Sequence, residues 1–452
     1  MAGHLTLDDL ARRTGATVEL LKQWRELGLI DREGAERFGD GDVQRVRLIR
    51  LLLRRGVNLD SLVQAERTEP FLGRYLSHLA EQGAGRPTYS LAQLAERSGF
   101  DTEVLQPFVE AAGLGGTDET FSDDEVSLFR GLKVILESGL PDEALVQLLR
   151  VYSEAIGRVA EAEARLFHFY VHERLRADAV SGPTLTAMTE AARRRMMPFV
   201  EPTILYFHRK GFSRAVEDDA VLHLQEDTGL MVPGQLRLAV LFVDLASFTP
   251  LAEVMGDETA AQVLARFSQL VHEAVSRADG RAVKQIGDAF MLVFRDVPSA
   301  LACALDVDQR TAAEPQFPAV RAGVQWGDVL YREGDYVGAN VNVAARLADA
   351  ASRHQVLVTA AVKEEAKTVA SVEFVPIGRR VLKGMAEELD LFEVHTRGDE
   401  GKGVRLIDPV CGIEVVPERA MARLVFNGRE EFFCCHVCLQ RFVEAPERWV
   451  RT

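Results

Sequence analysis

The sequence has no apolar run approaching the ~18 residues that a membrane-spanning helix needs. Its opening, MAGHLTLDDLARRTG, lacks the apolar core of a secretory signal. Basic residues do not predominate: 53 Lys and Arg stand against 68 Asp and Glu, a formal charge of −15. That balance disfavours unspecific attraction to nucleic acid or to anionic lipid. Cysteine is scarce as well. Of five cysteines, four lie beyond residue 410, and Cys303 is alone in a probable helix. No disulfide framework can support the rest of the chain. These absences predict a cytoplasmic protein with no membrane segment, whose tail cysteines bind a metal.

At 452 residues the chain is too long for one core, and its length suggests about three domains. Four pieces carry most of the chemistry: VLFVDLASFT (240–249), VKQIGDAFMLVF (283–294), VRAGVQWGDV (320–329) and GDYVGANVNVAARL (334–347). The first is an apolar strand that ends in Asp244, where polar chemistry begins. The second predicts a hairpin, Arg281 to Ile286 and Ala289 to Phe294, turning at Gly287-Asp288. The fourth opens on Gly-Asp and runs into a helix, where Asn342 and Arg346 sit four apart on one face. Helices are expected over Glu253 to Ala278, Ser299 to Thr311 and Val341 to Ala351. A lone Gly-Asp is usually only a turn; the spaced set is far more specific.

In these pieces, over roughly Gln235 to His395, the chain resembles the class III nucleotidyl cyclases, the adenylyl and guanylyl cyclase family. The resemblance implies that Asp244 and Asp288 bind two Mg²⁺ or Mn²⁺ per active site. It implies that Lys284 and Asp335 read the base, that Asn342 and Arg346 orient the ribose and stabilise the reacting phosphate, and that Lys383, in RRVLKG, binds the triphosphate. Metals held by carboxylates suit attack of a 3′-oxygen on the α-phosphorus. A lysine donor beside an aspartate acceptor matches N1 and N6 of adenine and mismatches guanine, so ATP is the expected substrate. The resemblance also implies a homodimer: Lys284 and Asp288, at the two sides of one turn, would serve different sites between two subunits.

Ahead of this region lies a repeat. TLDDLARRTGATVELLKQWRELGLI (6–30) is paralleled by SLAQLAERSGFDTEVLQPFVEAAGL (90–114), and residues 36–64 by residues 119–147. The first copy resembles the MerR-type winged helix-turn-helix, with Thr17 to Leu27, carrying Lys22, Gln23 and Trp24, as the helix that would enter a groove. Residues 1–66 hold eleven basic and eleven acidic side chains, which argues against DNA binding. In the second copy Leu128, Glu137 and Ser138 replace Arg45, Arg54 and Arg55, while Arg130 and Lys133 keep the basic character of Arg47 and Arg50. The second copy and the long helices expected over 148–230, broken at Ser181-Gly182-Pro183, resemble the N-terminal regulatory domain of some soluble bacterial class III cyclases. His168 and His172 lie four apart there, and His208 further on; a pH sensor is one reading of them, although most helical histidines are simply packed.

The tail, RLIDPVCGIEVVPERAMARLVFNGREEFFCCHVCLQRF, resembles the YHS/TRASH metal-binding domains. Cys411, Cys434 and Cys438 suit Zn²⁺ through thiolates, with Cys435 or His436 as fourth ligand. The chain is therefore expected to be multidomain. Residues 1–84 form a helix-turn-helix module, and 85–230 a second copy with a helical regulatory and dimerisation segment. Residues 231–396 form an α/β catalytic domain (an α+β sandwich of ferredoxin-like type), and 404–452 a small cysteine-rich domain. The function expected is an adenylate cyclase controlled by the all-α N-terminal region. A second reading is a MerR-like transcriptional regulator with a degenerate cyclase-like domain as nucleotide sensor.

Overall fold

The computed structural model describes residues 5–30, 38–68, 72–73, 89–114, 120–180, 182–227, 236–398 and 405–449. They form two compact units, Met1–Ala215 and Val216–Thr452. Among the described residues no helix is long and apolar enough to cross a membrane. Junctions are expected from the sequence over Asp227 to Gln235 and Thr396 to Gly403; of these, residues 228–235 and 399–403 lie outside the described residues.

The first unit is helical and carries the duplication into three dimensions. Helices Leu7–Thr14, Val18–Glu26 and Asp40–Arg54 are matched by Leu91–Ser98, Thr102–Ala111 and Asp123–Glu137. The same local devices set both copies. Thr6 and Ser90 cap the first helix through reciprocal bonds with Asp9 and Gln93, and Gly15 and Gly99 end it in the left-handed region. A single bridge closes each copy, Leu5 to Phe38 and Tyr89 to Phe121. The two retained basic positions have a structural cause. Arg47 and Arg130 donate to the carbonyls of Arg13 and Arg97 at 3.4 and 2.8 Å. Arg50 and Lys133 donate to those of Thr14 and Gly99. These bonds satisfy orphan carbonyls at the end of each copy's first helix. Trp24, placed by the sequence on the groove-entering helix, is fully buried in the module's core, while Lys22 and Gln23 are exposed.

Long helices follow, Asp142–Phe167, Gly182–Met196 and Val200–Asp227. The first widens into a π-helical turn over His168–Glu173, where the His168 and His172 rings stack 5.2 Å apart. The helix break comes at Asp178 to Val180, with Ala179 at positive φ, and the next helix opens at Gly182; Ser181 lies outside the described residues.

The second unit is built on one mixed sheet, order β2-β3-β1-β4-β6-β8-β7, with β5 paired to the far end of β4. Its strands are β1 Leu236–Leu245, β2 Arg281–Ile286, β3 Ala289–Phe294, β4 Val320–Arg332, β5 Asp335–Val337, β6 Gln355–Thr359, β7 Val372–Val381 and β8 Glu388–Thr396. β1 is central and apolar on both faces. Leu241, Val243 and Leu245 pack with helices Asp257–Arg277 and Val297–Ala313. Val240 and Phe242 pack with helix Ala339–Ala350 on the other face. Such period-two sorting is what a strand buried on both sides requires. The expected helix from Glu253 to Ala278 is two helices, Phe248–Met255 and Asp257–Arg277. Gly256, at φ 84°, lets the chain turn between them while the apolar periodicity runs on.

A small cysteine-rich layer completes this unit: β9 Leu406–Ile407 with β10 Glu414–Val415, the hairpin β11 Ala422–Phe426 with β12 Arg429–Phe433, and helix His436–Glu444. Its core is not its own. Val410, Cys411, Ile413, Phe433, Cys434, Cys438 and Phe442 form one cluster with Leu251 and Val254 of helix Phe248–Met255.

Candidate active site

The hairpin β2–β3 forms where the sequence placed it, turning through Gly287 at φ 62°. Cross-strand register sets Asp244 opposite Ala289, so Asp244 and Asp288 come together at one end of β1 and β3. Asp244 is buried and Asp288 half-buried. Burial, and next the Asp244 carboxylate beside it, push the Asp288 carboxyl above the usual aspartate range. Two crowded hard-oxygen donors of this kind fit a divalent cation such as Mg²⁺ or Mn²⁺. Sequence reasoning missed a third member. Arg321, opposite Asp244 on β4, donates to it through Nε at 2.8 Å and through a second nitrogen, and also reaches the Asp349 carbonyl at 3.3 Å. An arginine in a strand gives no local sign of a carboxylate one strand away.

The second pair also forms. Lys284 of β2 makes an ion pair with Asp335, which opens β5, and Asp335 accepts from the Tyr336 amide at 2.8 Å. The β4–β5 ribbon reaches β2 again at Arg281, which donates to the Tyr336 hydroxyl at 2.6 Å. Asn342 and Arg346 stand on the exposed face of helix Ala339–Ala350, and Arg346 donates to Asp349 at 2.9 Å. Lys383 is exposed in the turn between β7 and β8. The structure thus joins Asp244 with Asp288, and Lys284 with Asp335, while Asn342, Arg346 and Lys383 remain on the surface of the single chain.

That helix is seated by close backbone packing. A Cβ at Gly323 of β4 would lie 2.4 Å from the Ala348 nitrogen and 2.5 Å from the Ala344 oxygen. A chain of hydrogen bonds that runs from the core to the surface fixes its start: Thr359 to Gln325 at 2.5 Å, Gln325 to Asn340 at 2.9 Å, and Asn340 to the Asp328 carbonyl at 2.9 Å.

In the tail, Cys411, Cys434 and Cys438 converge as expected, with sulfurs 3.5 and 3.7 Å apart along the row. The fourth group within 4.8 Å is the buried Asp408, not Cys435 or His436. Cys435 stands at the N-cap position of helix His436–Glu444 without a side-chain bond to it, outside the cluster, and His436 is exposed. The Asp408 oxygens accept from the amides of Val410, Cys411 and Cys434 at 2.9, 3.3 and 2.8 Å, pinning both cysteine loops. Thiol hydrogen bonds from Cys434 and then Cys438 pull the Cys411 thiol down, and the same bonds push its two partners up. Sulfurs bound at ~2.3 Å around a tetrahedral Zn²⁺ stand about 3.8 Å apart, so the donors present fit such an ion.

Residues 234–396 match the adenylate and guanylate cyclase catalytic domain, residues 28–204 the adenylate cyclase regulatory domain, and residues 406–452 the YHS domain. A pH-sensitive adenylate cyclase of Mycobacterium tuberculosis is 28% identical over 365 residues, 79% of this chain and 89% of that protein. An adenylate cyclase of Streptomyces coelicolor is 29% identical over 280 residues, 61% of this chain and 71% of its own length. The crystal structure of an adenylyl cyclase from P. aeruginosa matches at 21% identity and a TM-score of 0.33, over 37% of this chain and 98% of that one. The chain therefore joins an adenylate cyclase regulatory domain to a class III adenylate/guanylate cyclase catalytic domain, and carries a YHS domain after it.

Proposed function

We propose that this cyclase converts ATP to 3′,5′-cyclic AMP and pyrophosphate, at two equivalent sites between two copies of the chain. The observation that carries the reading is the Lys284–Asp335 pair. Lys284 has further N–H donors for adenine N1, and Asp335 has free lone pairs for N6. Guanine would oppose donor to donor and acceptor to acceptor, leaving polar groups unpaired. Asp244 and Asp288 would hold the divalent cations, which supply activation of the 3′-hydroxyl and neutralise charge on the phosphates. Arg321 holds the Asp244 carboxylate in place through its two hydrogen bonds. Asn342 orients the ribose, Lys383 binds the triphosphate, and Arg346 donates to the charge that builds on the α-phosphate.

A shared site accounts for the surface as well. Asn342 and Arg346 are exposed in one chain, and on the same catalytic domain Ile286, Leu330, Tyr331, Val337 and Val381 expose apolar side chains. Apolar surface of that kind is suited to a second subunit. The regulatory domain then acts by setting the relative placement of the two catalytic domains, since a catalytic constellation tolerates little misplacement. The test is cyclic nucleotide formation by the purified full chain with Mn²⁺ or Mg²⁺. Cyclic AMP from ATP should exceed cyclic GMP from GTP by a wide margin, and Asp335→Ala should narrow that margin. Equal rates, or preference for GTP, would overturn the assignment.

A further inference from the structure

We infer that the Cys411–Cys434–Cys438 centre is an effector site for a thiolate-seeking cation such as Zn²⁺, and that its occupancy sets the position of the Asp244 turn. The inference rests on the cyclase reading for its consequence in catalysis, but not for its structural content.

Two of the three cysteines are wired to Asp244 by separate routes. Next to Cys411, the backbone of Gly412 lies against Ser247, so close that a Cβ on Gly412 would fall 2.8 Å from the Ser247 Cβ. Ser247 sits three residues after Asp244, at φ 66°, a conformation a serine holds only where its surroundings impose it. Arg353 clamps the same spot by donating to the Ser247 hydroxyl at 2.5 Å. By the second route the Cys434 carbonyl accepts from Gln316 at 2.8 Å. Gln316 lies in the loop leading into β4, where the Ala319 carbonyl accepts from the Ala246 amide at 2.7 Å and Arg321 holds the Asp244 carboxylate. Both routes arrive at the same turn.

The rest of the contact is rigid enough to transmit a change. Leu251 and Val254 share one core with the three cysteines. His354 is held between Asp308 at 2.5 Å and Glu414 at 3.1 Å, which spans the catalytic domain and the cysteine-rich layer. Arg405 reaches Glu414 and the Ala312 carbonyl at 3.4 and 3.2 Å. A cation bound by three thiolates fixes both cysteine loops at once, because ligand bonds replace weak S–H contacts. Without it the two cysteine loops lose that direct link to each other, and the Asp408 bonds to Cys411 and Cys434 are what joins them across the centre. A looser buttress behind Asp244 costs alignment where catalysis needs it most.

The experiment uses the full chain, either loaded with Zn²⁺ or stripped by a zinc chelator and desalted, and reads backbone hydrogen exchange and cyclase rate. Loading should slow exchange about tenfold over residues 244–256 and 314–321 and raise the rate by a similar factor, the scale a small realignment produces. Cys438→Ser should lose one bound Zn²⁺ and abolish the zinc effect on exchange. Gln316→Asn, which tolerates the positive φ of 53° at that position but falls short of Cys434, should keep the Zn²⁺ and weaken the effect. Zinc bound through these cysteines with unchanged exchange over 244–256 would overturn the inference. Absence of cyclase activity in every form would overturn the proposed function instead, and the exchange result would still decide the coupling.

Discussion

Gly323→Ala tests how the surface of helix Ala339–Ala350 is held. The added Cβ would meet the Ala348 nitrogen at 2.4 Å, the Ala344 oxygen at 2.5 Å and the Leu347 Cβ at 2.5 Å. All three belong to the helix itself, and none is the end of a side chain that can swing away. Ordinary contact distances require the helix to retreat by about 1 Å. Overpacking of a close backbone contact costs about 3 kcal/mol, the upper end of its usual range. In a unit of this size that should lower Tm by roughly 6 to 12 °C. Asn342 and Arg346 ride on the same helix, so the rate should fall about 100-fold. Gly327→Ala is the comparison: the atoms nearest its Cβ belong to the Asn340 side chain, which can turn aside at the loss of its two hydrogen bonds, so it should cost less than Gly323→Ala. The assay is thermal unfolding beside cyclic AMP formation. A Gly323→Ala protein with unchanged Tm and rate would refute the claim that this contact places the catalytic helix.

Asp244→Ala and Arg346→Ala should each be inactive alone and regain activity on mixing, because one of the two shared sites is then intact; dead mixtures that contain heterodimers would exclude a shared site. Protonation competes with cation binding at Asp288, whose carboxyl is raised by burial and by Asp244. The Mn²⁺ concentration for half-maximal rate should therefore climb as pH falls, starting at a higher pH than an ordinary aspartate would dictate, and a pH-independent value would contradict this. The Cys303 thiol is pushed up to about 12 by burial, so iodoacetamide at pH 8 should label it only after unfolding; rapid labelling of the folded chain would contradict its buried place. Residues 1–150 should show no sequence-dependent DNA shift, since Arg47 and Arg50 are engaged in capping helix ends and Trp24 is core; a tight, sequence-dependent shift would contradict that.

What was legible in the sequence was what is local or repeated. The hairpin at Gly287-Asp288, the strand ending at Asp244 and the two copies of the helical module all rest on turn residues, caps and periodicity within a few residues. The break at Gly256 escaped because the apolar stripe continues across it, and a lone glycine inside a helical pattern is ambiguous. Arg321 escaped for another reason, and so did the place of Asp408, a residue of the tail's motif, as the fourth group of the cysteine cluster. Asp244 lies 77 residues from Arg321 and Cys434 26 from Asp408, and only register or loop packing brings them together. The docking of the cysteine-rich layer on helix Phe248–Met255 leaves no periodic trace at all.

That docking redraws where one folding unit stops and the next begins. Family boundaries cut the chain near residue 400, yet Leu251 and Val254 supply part of the wall of the cysteine core. A fragment cut at that boundary would present Val410, Ile413 and Phe442 to water, and a layer this small has little else with which to offset the entropy of folding. Heat should therefore melt catalytic and cysteine-rich layers in a single cooperative transition, with no separate step for the tail. Covalent fusion is then a condition of the tail's existence as a folded object, and exchange of this layer between proteins requires the matching helix surface to travel with it.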